Sequence, residues 1–364
     1  MSDRPKASIV VPAYNTEAYV GRALGCAAAQ TERDIQVVVV DDGSTDGTLA
    51  IARKFAEKDP RFEVVHVENG GASRARNIGL DHARGEKLFF LDSDDEFSER
   101  LVEDCLSFAE AHDVSAVLYG YANQTVEGRG EPFLHELEAE YRDADILERL
   151  VPHFIGHSYE DVCEWIRGRR DMRQGKEHTA LWRVMLDARV VRENELRFNE
   201  ELDLGEDTIF MNAYLSLERS VGFLDECLYW LMAREGSLNW TSNNDPVRMA
   251  RNKLKILAEK DRLARRVQDA TGYDIAPLYA GTQVLSALQL CLELGRSRHI
   301  APEARKEVLN DYLSDDIVQH CVEGFTPPHF AKALPFLILK RFGGAPIMKA
   351  VQVASAFLDQ WKGF

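Results

Sequence analysis

Nowhere in this chain do about 18 apolar residues follow one another unbroken, so no membrane-spanning helix is expected. Paired cysteines are missing as well. Cys26, Cys105, Cys163, Cys227, Cys291 and Cys321 are scattered over 364 residues, with no C-x-x-C and no histidine at zinc-site spacing. They read as reduced thiols in a cytoplasmic protein. The first residues enter an apolar strand without a charged n-region, a long apolar h-region or a small-residue cleavage site, so no export signal is expected. Basic charge is in deficit: 44 Lys and Arg stand against 60 Asp and Glu, a formal net charge of -16. That argues against a nucleic-acid partner held by a general basic surface, and leaves an anionic substrate dependent on a metal or a few placed arginines. Two phosphate-binding patterns are also absent. No G-x-G-x-x-G follows the first strand and no G-x-x-x-x-G-K-[ST] occurs anywhere, which disfavours a dinucleotide dehydrogenase and a P-loop NTPase.

What the chain does have is the composition of a globular protein, 45% hydrophobic and 29% charged, and a regular alternation over its first third. ASIVV, IQVVVV, FEVVHV, KLFFL and SAVLYGY are apolar runs separated by helix-compatible segments long enough for crossovers. The pattern predicts an α/β fold with a mostly parallel sheet and helices on both faces. Val37 to Val40 show no polar alternation, as expected of a strand covered on both sides.

The unusual residues collect where these strands end: V-P-A-Y-N, D-D-G-S-T-D-G, E-N-G-G-A-S-R-A-R-N and D-S-D-D. Ligands of open α/β sheets bind beyond the carboxyl ends of strands, so these four ends define one crevice. Asp92, Asp94 and Asp95 at the end of KLFFL suit Mg or Mn carrying a substrate's phosphates, although an isolated D-x-D-D is equally a solvated turn before a helix. Asp42 can accept the imide N–H of a uracil-like base, and Arg76 can reach a phosphate. Asp46 reads as a helix cap.

At these spacings V-P-A-Y-N, V-D-D-G-S-T-D-G-T, N-G-G-A-S-R-A-R-N-I-G-L and F-L-D-S-D-D resemble the family 2 glycosyltransferases of the GT-A fold, inverting sugar transferases of bacterial polysaccharide assembly. The resemblance implies that Pro12, Tyr14, Asp42, Asn69 and Arg76 line a UDP-sugar site. It further implies that Asp92 and Ser93 touch the ribose or sugar and that Asp94 ligates the metal, with Asp95 beside it. Glu99 departs from the pattern, where a proline usually follows the acidic motif. The second carboxylate of G-E-D-T-I-F is the family's catalytic base; it maps onto Asp207, with Glu206 adjacent, although both also suit the positive end of a helix. Arg234 and Ser237 resemble a late element that closes on the diphosphate. Trp182 is either core or the floor of an acceptor sugar.

The expected organisation is a GT-A domain over residues 1–240, with a nucleotide half at 1–121 and an acceptor half at 122–240, followed by a helical accessory region at 241–364. Within the acceptor half, Asp143 to Leu150 reads as a short helix, and Arg167, Arg169, Arg170, Arg173 and Lys176 form a basic cluster that is either a solvated loop or a contact for an anionic acceptor. Helices are expected at Pro246 to Ala270, Leu278 to Leu294 and Pro302 to Leu313. The basic, apolar C-terminal segment either lies on the inner face of the cell membrane or packs within the protein or a homo-oligomer. The implied reaction is metal-dependent transfer of a sugar from a UDP-sugar to a hydroxyl of a glycan or lipid-linked acceptor. The competing classes are a sugar-phosphate nucleotidyltransferase, which should carry a Gly-rich basic loop where P-A-Y-N stands, and a non-catalytic sugar-nucleotide binder, which would need no base.

Overall fold

A computed structural model describes residues 4–125, 128–135, 137–172, 177–202, 204–232, 245–297, 299–329 and 331–352. The chain divides into two compact units, Met1–Val151 with Glu177–Arg234, and Pro152–Lys176 with Glu235–Phe364. Residues 152–176 therefore fall with the C-terminal helices and not with residues 122–240.

The first unit is built on the expected alternation. Strands β1 (Ala7–Ala13), β2 (Ile35–Asp42), β3 (Phe62–Val67) and β4 (Lys87–Phe90) are interleaved with helices α1 (Val20–Ala28), α2 (Thr48–Lys58) and α3 (Ala72–His82). β1 pairs in parallel with β2 and β4, and β2 with β3. All eight residues of β2 are buried because both faces are covered. Ile9, Val11, Val37, Val39 and Phe89 pack on one side with α1, and Val38 and Val40 meet Ala75 of α3 on the other. A short β5 (Glu96–Phe97) and α4 (Leu101–His112) lead into β6 (Ala116–Thr125).

The mostly parallel sheet takes in antiparallel strands from β6 onward. Two small strands, β7 (Gly128–Arg129) and β8 (Glu140–Arg142), follow it, and then β9 (Val184–Asp187) inserts between β4 and β6, antiparallel to both. β9 is four buried residues, too short to show a period in sequence. Helices α6 (Ala188–Glu193) and α7 (Glu206–Leu215) precede β10 (Ser220–Met232), which runs parallel to β6 and antiparallel to β5 and β8. The main order is β3-β2-β1-β4-β9-β6-β10-β5. The short helix expected at 143–150 is a π turn, Ile146–Leu150. One charged group is sealed inside this unit: Arg183, 2% exposed, lies 3.0 Å from Glu177 and 3.0 Å from the His135 ring, and its guanidinium stands over the Tyr121 ring at 5.2 Å.

The second unit is helical: α5 (Tyr159–Ile166), α8 (Pro246–Thr271), α9 (Ala280–Arg296), α10 (Pro302–Leu313), α11 (Asp316–Gly324) and α12 (Leu334–Phe342). Its helix ends carry their own signals. Ser158 and Asp161 form a capping box on α5, Asp245 accepts from the N–H groups of Val247 and Arg248 ahead of Pro246, and Asp315 does the same for α11. Val162, Ile166, Val284, Phe325 and Phe336 form its core. All six cysteines are unpaired. Among the described residues no helix is long and apolar enough to cross a membrane.

Candidate active site

The loops after β1, β2 and β3 are tied to one another by hydrogen bonds from short polar side chains. Asn15, in the left-handed region at φ 49°, donates its N–H to Ser44 Oγ at 3.0 Å and accepts from Thr45 N–H at 2.9 Å. Asp46 stands one residue before Gly47, the N-cap of α2, and accepts from Thr48 N–H at 3.0 Å and from Glu17 N–H at 3.1 Å. Burial pushes its carboxyl up, but these donors more than offset that and hold it below the usual range. Asp42 is buried at the end of β2. Its carboxylate accepts from the N–H groups of Gly70 and Gly71, both at 2.8 Å, and from Asn69 Nδ2 at 3.2 Å. The turn that aims these donors needs Gly71 at φ 91°, and it approaches β2 so closely that a Cβ on Gly43 would lie 2.7 Å from the Asn69 nitrogen. Three of the roughly four acceptor positions of the Asp42 carboxylate are thus taken within the protein. Pro12 lies in β1 opposite Val40, and the Tyr14 side chain is 49% exposed at the edge of this group.

Arg76 joins the two distant parts of the motif set. It is buried in α3, with Nη1 2.8 Å from Glu206 and 3.0 Å from Asp207, and Nη2 3.3 Å from Asp92. Burial opposes its charge, but Asp207, Asp92 and Glu206 together raise its pKa above the ordinary arginine value. Gly205, at φ 87°, lets the chain turn into α7, so that Glu206 and Asp207 occupy the first turn. The Asp207–Arg76 contact is an ion pair without an aligned hydrogen bond, leaving Asp207 Oδ1 and Arg76 Nε buried and without hydrogen-bond partners. Burial lifts the Asp207 carboxyl to about 7; Arg76 pulls it down, and Glu206 and Asp92 push it further up.

At the end of β4, Ser93 is buried against Thr16, whose Oγ1 donates to it at 3.1 Å. Asp95 is fixed to β10: its oxygens accept from Tyr229 Oη at 3.0 Å and Met232 N–H at 2.8 Å. Burial, helped by Asp92 and Asp94, raises its carboxyl to about 8. Among the described residues no three His, Cys, Asp or Glu side chains are grouped to hold a metal alone. The donor chemistry nevertheless fits Mg or Mn. A carboxylate cluster with too much negative charge stands at a strand end, and carboxylates such as Asp94 are the hard oxygen ligands those ions take.

Two residues expected to close on the diphosphate, Arg234 and Ser237, lie outside the described residues. Trp182 is buried, stacked on Tyr229 at 4.7 Å with Tyr121 edge-on at 4.9 Å, which is a core position. Of the basic cluster, Arg167 and Arg169 both lie on Glu164 and Arg170 on Asp161, all within the second unit, while Arg173 and Lys176 lie outside the described residues. Sequence reasoning missed two supporting residues. Asn77 clamps the backbone of Phe198, donating to its carbonyl and accepting from its N–H, both at 2.9 Å; Phe198 in turn stacks on Phe210 of α7 at 4.2 Å. Tyr229 accepts from Asp92 N–H at 3.2 Å while holding Asp95. A polar residue on the buried face of α3 was the available signal for Asn77.

Residues 8–158 match the family described as Glycosyl transferase family 2. Over 236 residues it is 30% identical to the uncharacterized glycosyltransferase EpsJ of Bacillus subtilis (strain 168), covering 64% of this chain and 63% of that protein. Over 235 residues it is 30% identical to the poly(ribitol-phosphate) beta-N-acetylglucosaminyltransferase TarS of Staphylococcus aureus (strain Mu50 / ATCC 700699), covering 64% of this chain and 36% of that one. The chain therefore spans less than two thirds of these relatives. The crystal structure of S. aureus TarS 1-349 in complex with UDP-GlcNAc superposes with a TM-score of 0.54 at 22% identity, covering 88% of this chain and 92% of that one. The fold is accordingly the GT-A α/β fold followed by helices.

Proposed function

We propose that the chain is a glycosyltransferase that moves a sugar from a UDP-sugar to a hydroxyl of a glycan or lipid-linked acceptor in bacterial surface-polysaccharide assembly. The observation that carries this reading is Arg76, which gathers the acidic end of β4 and the first turn of α7 into one cluster. The UDP-GlcNAc held by the TarS structure supports a UDP-sugar as donor. The remaining acceptor position of Asp42 takes the imide N–H of the base, Asn69 and Tyr14 border it, and Asp92 and Ser93 meet the ribose or sugar. Asp94 would hold Mn or Mg, which when bound offsets the charge of the diphosphate. Asp207 takes the proton of the acceptor hydroxyl: its Oδ1 has no aligned hydrogen bond, and a carboxyl near 7 is matched to work as a base at neutral pH. One displacement inverts the anomeric centre, so an α-linked donor gives a β-linked product.

Calorimetry with UDP, in Mn and in EDTA, followed by UDP release from a panel of UDP-sugars, tests the reading. Tighter binding in Mn that is lost in Asp94→Ala, with release from one sugar above the others, is expected. Equal affinity in EDTA removes the metal role, and absence of UDP binding under every condition removes the donor.

A further inference from the structure

From Gly324 to Leu358 the sequence contains no Asp or Glu, in a chain that has 60 of them. The same stretch carries Lys332, Lys340, Arg341 and Lys349, all exposed. Within it lies α12, whose two sides differ. Phe336 and Leu339 are 2% exposed, Phe336 within the core of the second unit, while Leu334, Leu337 and Phe342 are exposed by 58%, 49% and 65%. Three of the six large apolar side chains exposed among the described residues therefore sit on one nine-residue helix. Hydrophobic residues standing singly on a surface require no explanation; three together beside unneutralised cations do.

The cations are held by groups other than carboxylates. Lys340 Nζ donates to the Phe325 carbonyl at 2.9 Å, the Arg341 guanidinium lies over the Phe342 ring at 5.6 Å, and the Lys332 ammonium over the Trp165 ring at 5.9 Å. Among the described residues no carboxylate forms an ion pair with any of the four. From this juxtaposition we infer that the outer face of α12 is a binding surface for an anionic phospholipid leaflet. The helix is far too short to cross a bilayer and has what an in-plane helix needs: apolar side chains to enter the acyl boundary and cations at the level of the headgroups. A soluble anion would leave Leu334, Leu337 and Phe342 without use. A second copy of the chain fits poorly, because a two-fold contact would press together two copies of one cationic patch that has no carboxylate to offset it. The inference is independent of the donor reading, since it needs neither nucleotide nor acceptor.

The test is co-flotation of the full chain with vesicles of phosphatidylglycerol and phosphatidylcholine, and of phosphatidylcholine alone, at low and high salt. Binding to the anionic vesicles alone, weakened by salt, is expected. Arg341→Ser with Lys349→Ser should reduce partitioning by tenfold or more, each cation near an anionic surface contributing roughly fivefold. Leu337→Ser with Phe342→Ser, both surface changes, should reduce it further, with the circular dichroism spectrum unchanged. Wild-type protein that stays unbound to anionic vesicles at low salt, or binds both kinds equally, overturns the inference. So does a dimer by sedimentation that these serine variants dissociate while vesicle binding is absent.

Discussion

Two buried arginines in the first unit invite comparison. Arg183 is balanced: Glu177 and His135 meet it inside a wall of Tyr121, and the group is closed. Burial lowers both Arg183 and His135, and Glu177 is held below the usual carboxylate range because His135 and Arg183 outweigh its own burial. Arg76 is outnumbered. Three carboxylates converge on one guanidinium, and one of them, Asp207, is left near 7 with an oxygen lacking a hydrogen bond. A closed group of this kind serves the fold, because removing one member strands a buried charge. An over-charged group costs the fold something, and the excess is what is available to a substrate.

The same chemical change, carboxylate to amide, should therefore break the two clusters differently. The largest effect expected is on Asp207→Asn: transfer falls by roughly 100- to 10,000-fold, the range of a lost general base, while donor binding by calorimetry and the melting temperature stay at or above wild type. Transfer within a few-fold of wild type would move the role to Glu206. Glu177→Gln should do the reverse, costing about 3 kcal/mol in urea unfolding and leaving UDP affinity unchanged. Loss of UDP affinity at intact stability would end the distinction between the clusters.

The smallest effect, and the one that sharpens the comparison, is in pH. The folded-state pKa of Asp207 is raised to about 7 from an unfolded value of about 4, so its contribution is fully present below about pH 4 and is lost as pH rises through 7. Glu177 is lowered, so its contribution is present above its unfolded value of about 4.3 and is lost as pH falls below that. Melting curves between pH 3 and 9 should show the gap between Asp207→Asn and wild type opening from about pH 4 to 7, where the Glu177→Gln gap stays constant. Transfer by the wild type should rise towards about pH 7 and then level.

Much of the first unit was legible because its signals are local. The unbroken apolar run of β2, the polar strand ends and the carboxylates opening α7 all declare themselves within a few residues. What stayed hidden depends on partners far away in sequence. β9 has only two register pairs on each side, so its insertion rests on β4 and β6 being there to receive it. Arg183 reads as one more basic residue until Glu177 and His135 are seen to enclose it. Asp95 looks like a fourth-strand ligand, yet Tyr229 and Met232 hold it. Asp42 looks wholly available to a base, yet most of its capacity is used by its own neighbouring loop.

The bond from Arg76 to Glu206 spans 130 positions of sequence, and the Asn77 clamp on Phe198 spans 121. During synthesis at roughly 5–20 residues per second, the acidic turn of β4 leaves the ribosome many seconds before its partner helix exists. In that interval Arg76 has Asp92 for a partner but neither carboxylate of α7, so the over-charged cluster cannot assemble until α7 has been made.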